Sequence, residues 1–301
     1  MQFLKDTKID FINKRKGAYL LSGILVAASI LSLVIKGGPN LGIDFSGGTL
    51  VQLKFSKQLS TQEARSILNA QGLSGAELQR FPEDNVIIVR MKKTAGSAEE
   101  VYEKIKKTFS DARPDNTFVV ERSEMVGPVI SRDLVKKALM AIILSSLAIL
   151  VYVAWRFKGG IWGIGGIIAL IHDVLITVGI FSILNKEVTL PVVAALLTLA
   201  GYSINDTIVI YDRIRENLKL RRGGSLLEVV NFSLNSVLSR TIITSLTTLF
   251  VLVALFFKGG SVIHDFSFAL LIGVIIGTYS SIFIASPIVY EHIGKNPRVR
   301  R

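Results

Sequence analysis

The chain has no cysteine among its 301 residues. That excludes a disulfide framework and any metal site held by thiolates. It says nothing about redox compartment, because a chain without thiols tolerates either. Other signatures are missing as well. No Lys-Ser/Thr pair follows a glycine run to make a phosphate loop, no His or carboxylate spacing suits zinc, and no Ser-His-Asp set stands out. No cofactor is therefore expected. Charged residues make up only 19% of the chain, and the sections without them are long.

Half of the residues are hydrophobic and the mean hydropathy is +0.50, well above an ordinary water-soluble domain. Six apolar runs are long enough to cross a hydrocarbon core of roughly 30 Å. They cover 17–35, 137–155, 160–183, 189–211, 236–257 and 266–287. Lys14, Arg15 and Lys16 precede the first run as they would a signal peptide. The run is longer than a signal core and no small-x-small site follows, so it reads as an uncleaved anchor. With the N-terminus in the cytosol, the inner segments hold sixteen Lys and Arg and the two short outer loops hold two. That asymmetry orients both termini inward, although Lys136 and Lys137 flank an outer helix end. Segment 36–135 carries fourteen basic and thirteen acidic residues. The net charge of +12 is thus a feature of topology, and no nucleic-acid partner is needed to explain it. The expected organisation is a cytosolic 1–16, a first span 17–35, an extracytoplasmic domain 36–135, five spans within 137–290 and a basic cytosolic tail 291–301.

The domain reads as β-α-β-β-α-β, the order of a ferredoxin-like unit. Thr49–Phe55 is the first strand, and Ser60-Thr61-Gln62-Glu63 opens a helix as a capping box. Ala76–Phe81 and Val86–Met91 flank a turn at 82–85. Ser97-Ala98-Glu99-Glu100 opens a second helix, and Thr117–Glu121 is the last strand. Two glycine-containing segments, 42–49 and 126–131, bracket the domain as tight turns against the membrane surface. The fold class is a six-helix membrane bundle carrying one extracytoplasmic α+β domain.

Ionisable residues within apolar spans are costly, and so they are the candidates for function. Asp206 lies near the inner end of the fourth span and Arg240 near the inner end of the fifth, which the hydropathy boundaries place at similar depth. A carboxylate–guanidinium pair follows, either as a static packing contact or as a titrating site. Thr244, Thr247 and Thr248 continue from Arg240 on one helix face. That face lines either a helix contact or a hydrated path. His172 and Asp173 occupy the middle of the third span, the costliest position of all, and His264 and Asp265 sit at the outer mouth of the sixth. Asp173 and Asp206 are expected to differ in depth by roughly 10 Å at the helical rise, which argues against an aspartyl-protease dyad. Asp, His and Arg with threonines between them suit proton movement. The potential supplies about 2.3 kcal/mol per charge per 100 mV.

Five segments together resemble the SecF branch of the SecD/SecF protein-export family. They are GIDFSGGT at 42–49, VGPVIS at 126–131, HD at 172–173, GYSINDTIVIYDRIREN at 201–217 and SRTIITSLTTL at 239–249. The resemblance runs in order from the N-terminus to about residue 290. It implies half of a twelve-span resistance-nodulation-division assembly, with SecD as the other half. It further implies a subunit that is not an enzyme, sits in the bacterial inner membrane and pulls preproteins from the SecYEG channel on the outer side. The power source would be the proton gradient, with sodium as the other coupling ion. In the family's pattern Asp206 is the proton-responsive carboxylate, Arg240 its partner and Thr244 a residue on the same face. His172, Asp173 and Asp265 match less central polar positions. The competing expectation is one half of an exporter of small molecules or lipids from the same superfamily.

Overall fold

A computed structural model describes residues 7–81, 85–92, 98–221 and 224–295. The chain divides into two compact units, Met1–Asn40 with Met140–Arg301, and Leu41–Leu139. The second boundary, between Leu139 and Met140, falls inside a helix.

In the smaller unit a one-turn helix α2 (Ile43–Ser46) precedes strand β1 (Gly48–Phe55), helix α3 (Thr61–Ala70), strands β2 (Ala76–Phe81) and β3 (Val86–Lys92), helix α4 (Ala98–Ala112) and strand β4 (Phe118–Val126). The four strands form an antiparallel sheet in the order β2-β3-β1-β4, the ferredoxin-like arrangement. Strand alternation sends Val51, Leu53 and Phe55 to the helical face, where they meet Leu68, Ile105 and Phe109. Leu50, Val86 and Ile88 go to the other face, where Ile43 of α2 covers them. Ser60 caps α3 by accepting from the Glu63 amide at 3.1 Å. The Glu63 carboxylate is held by Arg113 at the far end of α4. The turn expected at 82–85 and the capping Ser97 lie outside the described residues, apart from Asn85.

The glycine segments are not a matched pair of turns. The first is α2 followed by Gly47 at φ 72° and Gly48 at φ 139°. A Cβ on Gly48 would lie 2.2 Å from the Met91 carbonyl oxygen, so only glycine lets β1 pair with β3 there. In the second segment β4 continues to Val126 and a helix starts at Pro128. The ring of a proline fixes φ for a first helical turn, whose amide is unbonded in any case.

Among the described residues, six helices are long and apolar enough to cross a membrane. They are α1 (Arg15–Ile35), α5 (Pro128–Phe157), α6 (Gly160–Ile183), α7 (Leu190–Leu220), α8 (Leu226–Lys258) and a sixth stretch, Gly260–Lys295. The sixth is broken into α9 (Gly260–Ser280), a π turn (Ser281–Ala285) and α10 (Ser286–Lys295). Several boundaries depart from the hydropathy reading, among them both ends of the sixth stretch. The α5 helix begins nine residues early, and α7 and α8 extend through most of the connection expected at 212–235. Hydropathy sees apolar length, whereas DRIRENLKL is a polar continuation of the same helix. Ser225 and Glu228 form a complete capping box at the start of α8, a start signal carried by the local sequence.

The interior of this unit is α6, α7 and α9. Glycines set their spacing: a Cβ on Gly273 would collide with Leu199 and one on Gly179 with Ser29 of α1. Beside α10, Tyr211 packs on Phe157 and Trp162 and donates to the Ala285 carbonyl within the π turn at 3.3 Å. The segment before α1 is docked on α8. Asn231 Oδ1 accepts from the amides of Phe11 and Ile12, and Asn235 exchanges two hydrogen bonds with the Ile9 backbone. Phe11 and Ile12 are buried.

Candidate ion-coupling site

Asp173 projects from the middle of α6 and has no exposed surface. Its Oδ2 accepts from Ser203 Oγ of α7 at 2.6 Å and from Ser280 Oγ of α9 at 2.8 Å. Its Oδ1 lies 2.9 Å from His172 Nδ1. One carboxylate therefore ties three helices together, and hydroxyl donors offset the desolvation that makes a midplane acid costly. Gly277 permits the approach, since a Cβ there would come within 3.1 Å of Ser203 and 3.5 Å of Asp173. One turn further along, Thr207 and Ser281 share a 2.9 Å hydroxyl contact. Ser281 opens the π turn, and the Ser286 hydroxyl bonds its carbonyl at 2.7 Å. Wide turns of this kind often occur where a helix carries function.

Asp206 has a different environment. It is 4% exposed, and its Oδ2 has no hydrogen-bond partner among the described residues. No hydrogen bond or ion pair joins it to the Arg240 side chain among the described residues, and Arg240 is exposed. The expected direct pair is thus absent from this chain on its own. Helix register gives the reason. Arg213 bonds Ser236 and Asn217 bonds Ser233, so moving up both helices brings Asp206 level with Ile243 and Thr244. Arg240 lies about one turn, roughly 5 Å, closer to the Arg213 end. Counting from hydropathy edges misjudged the offset because α7 and α8 run past those edges. The same cause corrects the expected 10 Å between Asp173 and Asp206. Ser203, which touches Asp173, stands three residues before Asp206, a rise of roughly 4.5 Å. Among the described residues the two carboxylates still share no hydrogen bond.

Among the described residues nothing covers most of the threonine face. Thr244 and Thr247 are exposed beside Arg240, and Thr248 is half-buried. All three hydroxyls bond back to carbonyls of their own helix. The buried polar groups of α8 are its neighbours Thr241 and Ser245, and Ser245 meets Thr278 of α9 at 2.7 Å. On α7 the adjoining surface, Thr198, Gly201 and Asn205, is exposed too. Asp265 is remote from both acids in sequence and is held by Lys186 at 2.7 Å and His264 at 2.9 Å. This ties the α6–α7 connection to the start of α9. Among the described residues no group of His and carboxylates is arranged to hold a metal ion.

Comparison with known proteins places this geometry. The C-terminal region of the protein export membrane proteins SecD/SecF matches residues 104–295, and the SecD/SecF GG motif matches residues 32–58. The chain is 45% identical over 296 residues to the protein translocase subunit SecF of Calditerrivibrio nitroreducens, covering 96% of this chain and 97% of that one. It is 43% identical over 306 residues to the SecF of Thermodesulfovibrio yellowstonii, covering the whole of both. The crystal structure of SecDF, a translocon-associated membrane protein from Thermus thermophilus, superposes with a TM-score of 0.87 at 36% identity. That match covers 98% of this chain and 40% of the longer one. The glycines that admit β1, the Asp173 knot and the Asp206–Arg240 face all fall within the matched regions, and the chain is a multi-pass membrane protein of the SecD/SecF protein-export family.

Proposed function

We propose that this chain is a SecF-type auxiliary subunit of Sec protein translocation that couples ion movement at Asp206 to work on preproteins. The observation that carries the reading is an unfinished site. A buried carboxylate with an unpartnered oxygen lies next to an exposed Arg240–Thr244–Thr247 face inside a span. Lipid cannot solvate such a face, so another membrane subunit must. The SecDF structure contains a SecF-like part as two-fifths of its length, and SecD is the subunit we assign to this face. In that setting Arg240 and Thr244 meet Asp206 across a shared, hydrated interior, and protonation of the acid alters how strongly the guanidinium is drawn toward it. The proton is the coupling ion we assign, and no catalytic group or cofactor is required. Both termini lie in the cytosol of a bacterial inner membrane, with the α+β domain outside, where the preprotein emerges from SecYEG.

The test is export in proteoliposomes or inverted vesicles containing SecD, this chain and the channel. Asp206→Asn abolishes the gradient-dependent stimulation while SecD still co-purifies with the tagged chain. Full stimulation by the variant, or a tagged chain that never brings SecD with it, overturns the assignment.

A further inference from the structure

The knot at Asp173 contains an unused atom. His172 Nε2 is buried and has no hydrogen-bond partner among the described residues, although the imidazole is only 7% exposed. Every other polar atom of the dyad is engaged: Nδ1 with Oδ1, and Oδ2 with two serine hydroxyls. From this geometry we infer that His172 and Asp173 form a second proton-binding site, separate from Asp206, which loads and unloads at His172 Nε2.

Proton counting supports the assignment. Without the extra proton, Asp173 is a carboxylate, Nδ1 carries the imidazole hydrogen and Nε2 is a bare acceptor, so the pair has one negative charge. With it, Nε2 carries a hydrogen and the pair is neutral overall, whether the shared proton lies on Nδ1 or on Oδ1. Both loaded forms differ from the empty one at Nε2. Asp173 orients the ring and balances its charge, in the way a buried carboxylate orients a catalytic histidine. The other titratable groups around the dyad are few. The Tyr279 ring of α9 stacks against the imidazole at 6.2 Å between centroids, and its hydroxyl is occupied by Ser22 and the Ala18 carbonyl of α1. From α7 the acid is Asp206, one turn beyond Ser203. Among the described residues no Lys or Arg bonds the dyad.

The consequence deepens the proposed coupling and rests on it. The charge of the dyad sets how tightly Ser203 and Ser280 are held, and Ser203 rides on the helix that carries Asp206. His172 and Asp173 are therefore positioning residues for Asp206.

The experiment is nitrogen NMR of histidine-labelled protein in lipid nanodiscs. His172 is assigned as the signal lost in His172→Gln, or as the one remaining in a His264→Gln, His292→Gln double variant should the first misfold. The expected result is a single titration in which Nε2 changes from bare to protonated while Nδ1 stays hydrogen-bonded, with Asp173→Asn displacing the step. An Nε2 that holds its proton throughout, one that never gains it, or a titration centred on Nδ1 overturns the inference. The two readings fail separately. Gradient-dependent export in Asp206→Asn removes the coupling role whatever the spectrum shows. An Nε2 that does not titrate removes only the second site.

Discussion

Asp173 and Asp206 are both buried carboxylates in the same bundle, about one helical turn apart, and only one of them is complete. Three donors from α6, α7 and α9 reach Asp173. Among the described residues Asp206 keeps an oxygen with no partner, while Arg240 is exposed. The difference separates two uses of a charge in a membrane. The bonded acid holds three helices of one chain together and, among the described residues, leaves His172 Nε2 as the one open atom of its dyad. In the proposed assembly, an acid lacking donors is a site finished by another subunit, which would offset its cost by supplying water or polar groups.

The sharpest break of this contrast is substitution at the two acids in the isolated chain. Asp173→Ala strands two serine hydroxyls and a histidine, and unfolding in mixed micelles should show a loss of about 3–5 kcal/mol, as for other broken buried pairs. Asp206→Asn removes no bond and should change stability by less than about 1 kcal/mol, while ending gradient-dependent export. Equal destabilisation by both would erase the distinction. Next in size is Gly48→Ala, which forces a Cβ toward the Met91 carbonyl at a positive φ. Strain of roughly 1–3 kcal/mol should loosen the α+β domain alone, read as faster proteolysis of that domain with the bundle intact. Ser225→Ala removes the capping box of α8 and should cost about 1 kcal/mol, leaving export unchanged under mild conditions.

The smallest effect concerns the docked N-terminal segment. The Asn13 amide, the Asn13 side chain and Asn231 hold the Asp10 carboxyl below the usual carboxylate range. A depressed folded value means that its contribution is present above the ordinary pKa and is lost as pH falls through the lower, folded one. The segment should therefore stay docked at neutral pH and release only in acid below the usual carboxylate range. Hydrogen exchange at the Phe11 and Ile12 amides would report this, and release at neutral pH would show that Asp10 does not hold the segment.

What one dimension determined was whatever depends on local pattern. Apolar length marks the six helices, because a hydrocarbon core has a fixed thickness. Alternation and turn residues mark the four strands. The cost of charge in lipid singles out His172, Asp173, Asp206 and Arg240 before any contact is known. Tertiary structure alone decided which of these meet. Helix ends that continue as polar sequence are invisible to hydropathy, so depths counted from those ends misplaced Asp206 against both Arg240 and Asp173. The small-residue spacing of Gly277 and Ser280 announces a close helix contact, but nothing in one dimension says that they and Ser203 meet at Asp173. Only the packing of α6, α7 and α9 gathers them around one acid, and only the tertiary structure shows that Arg240 is exposed while Asp206 is buried.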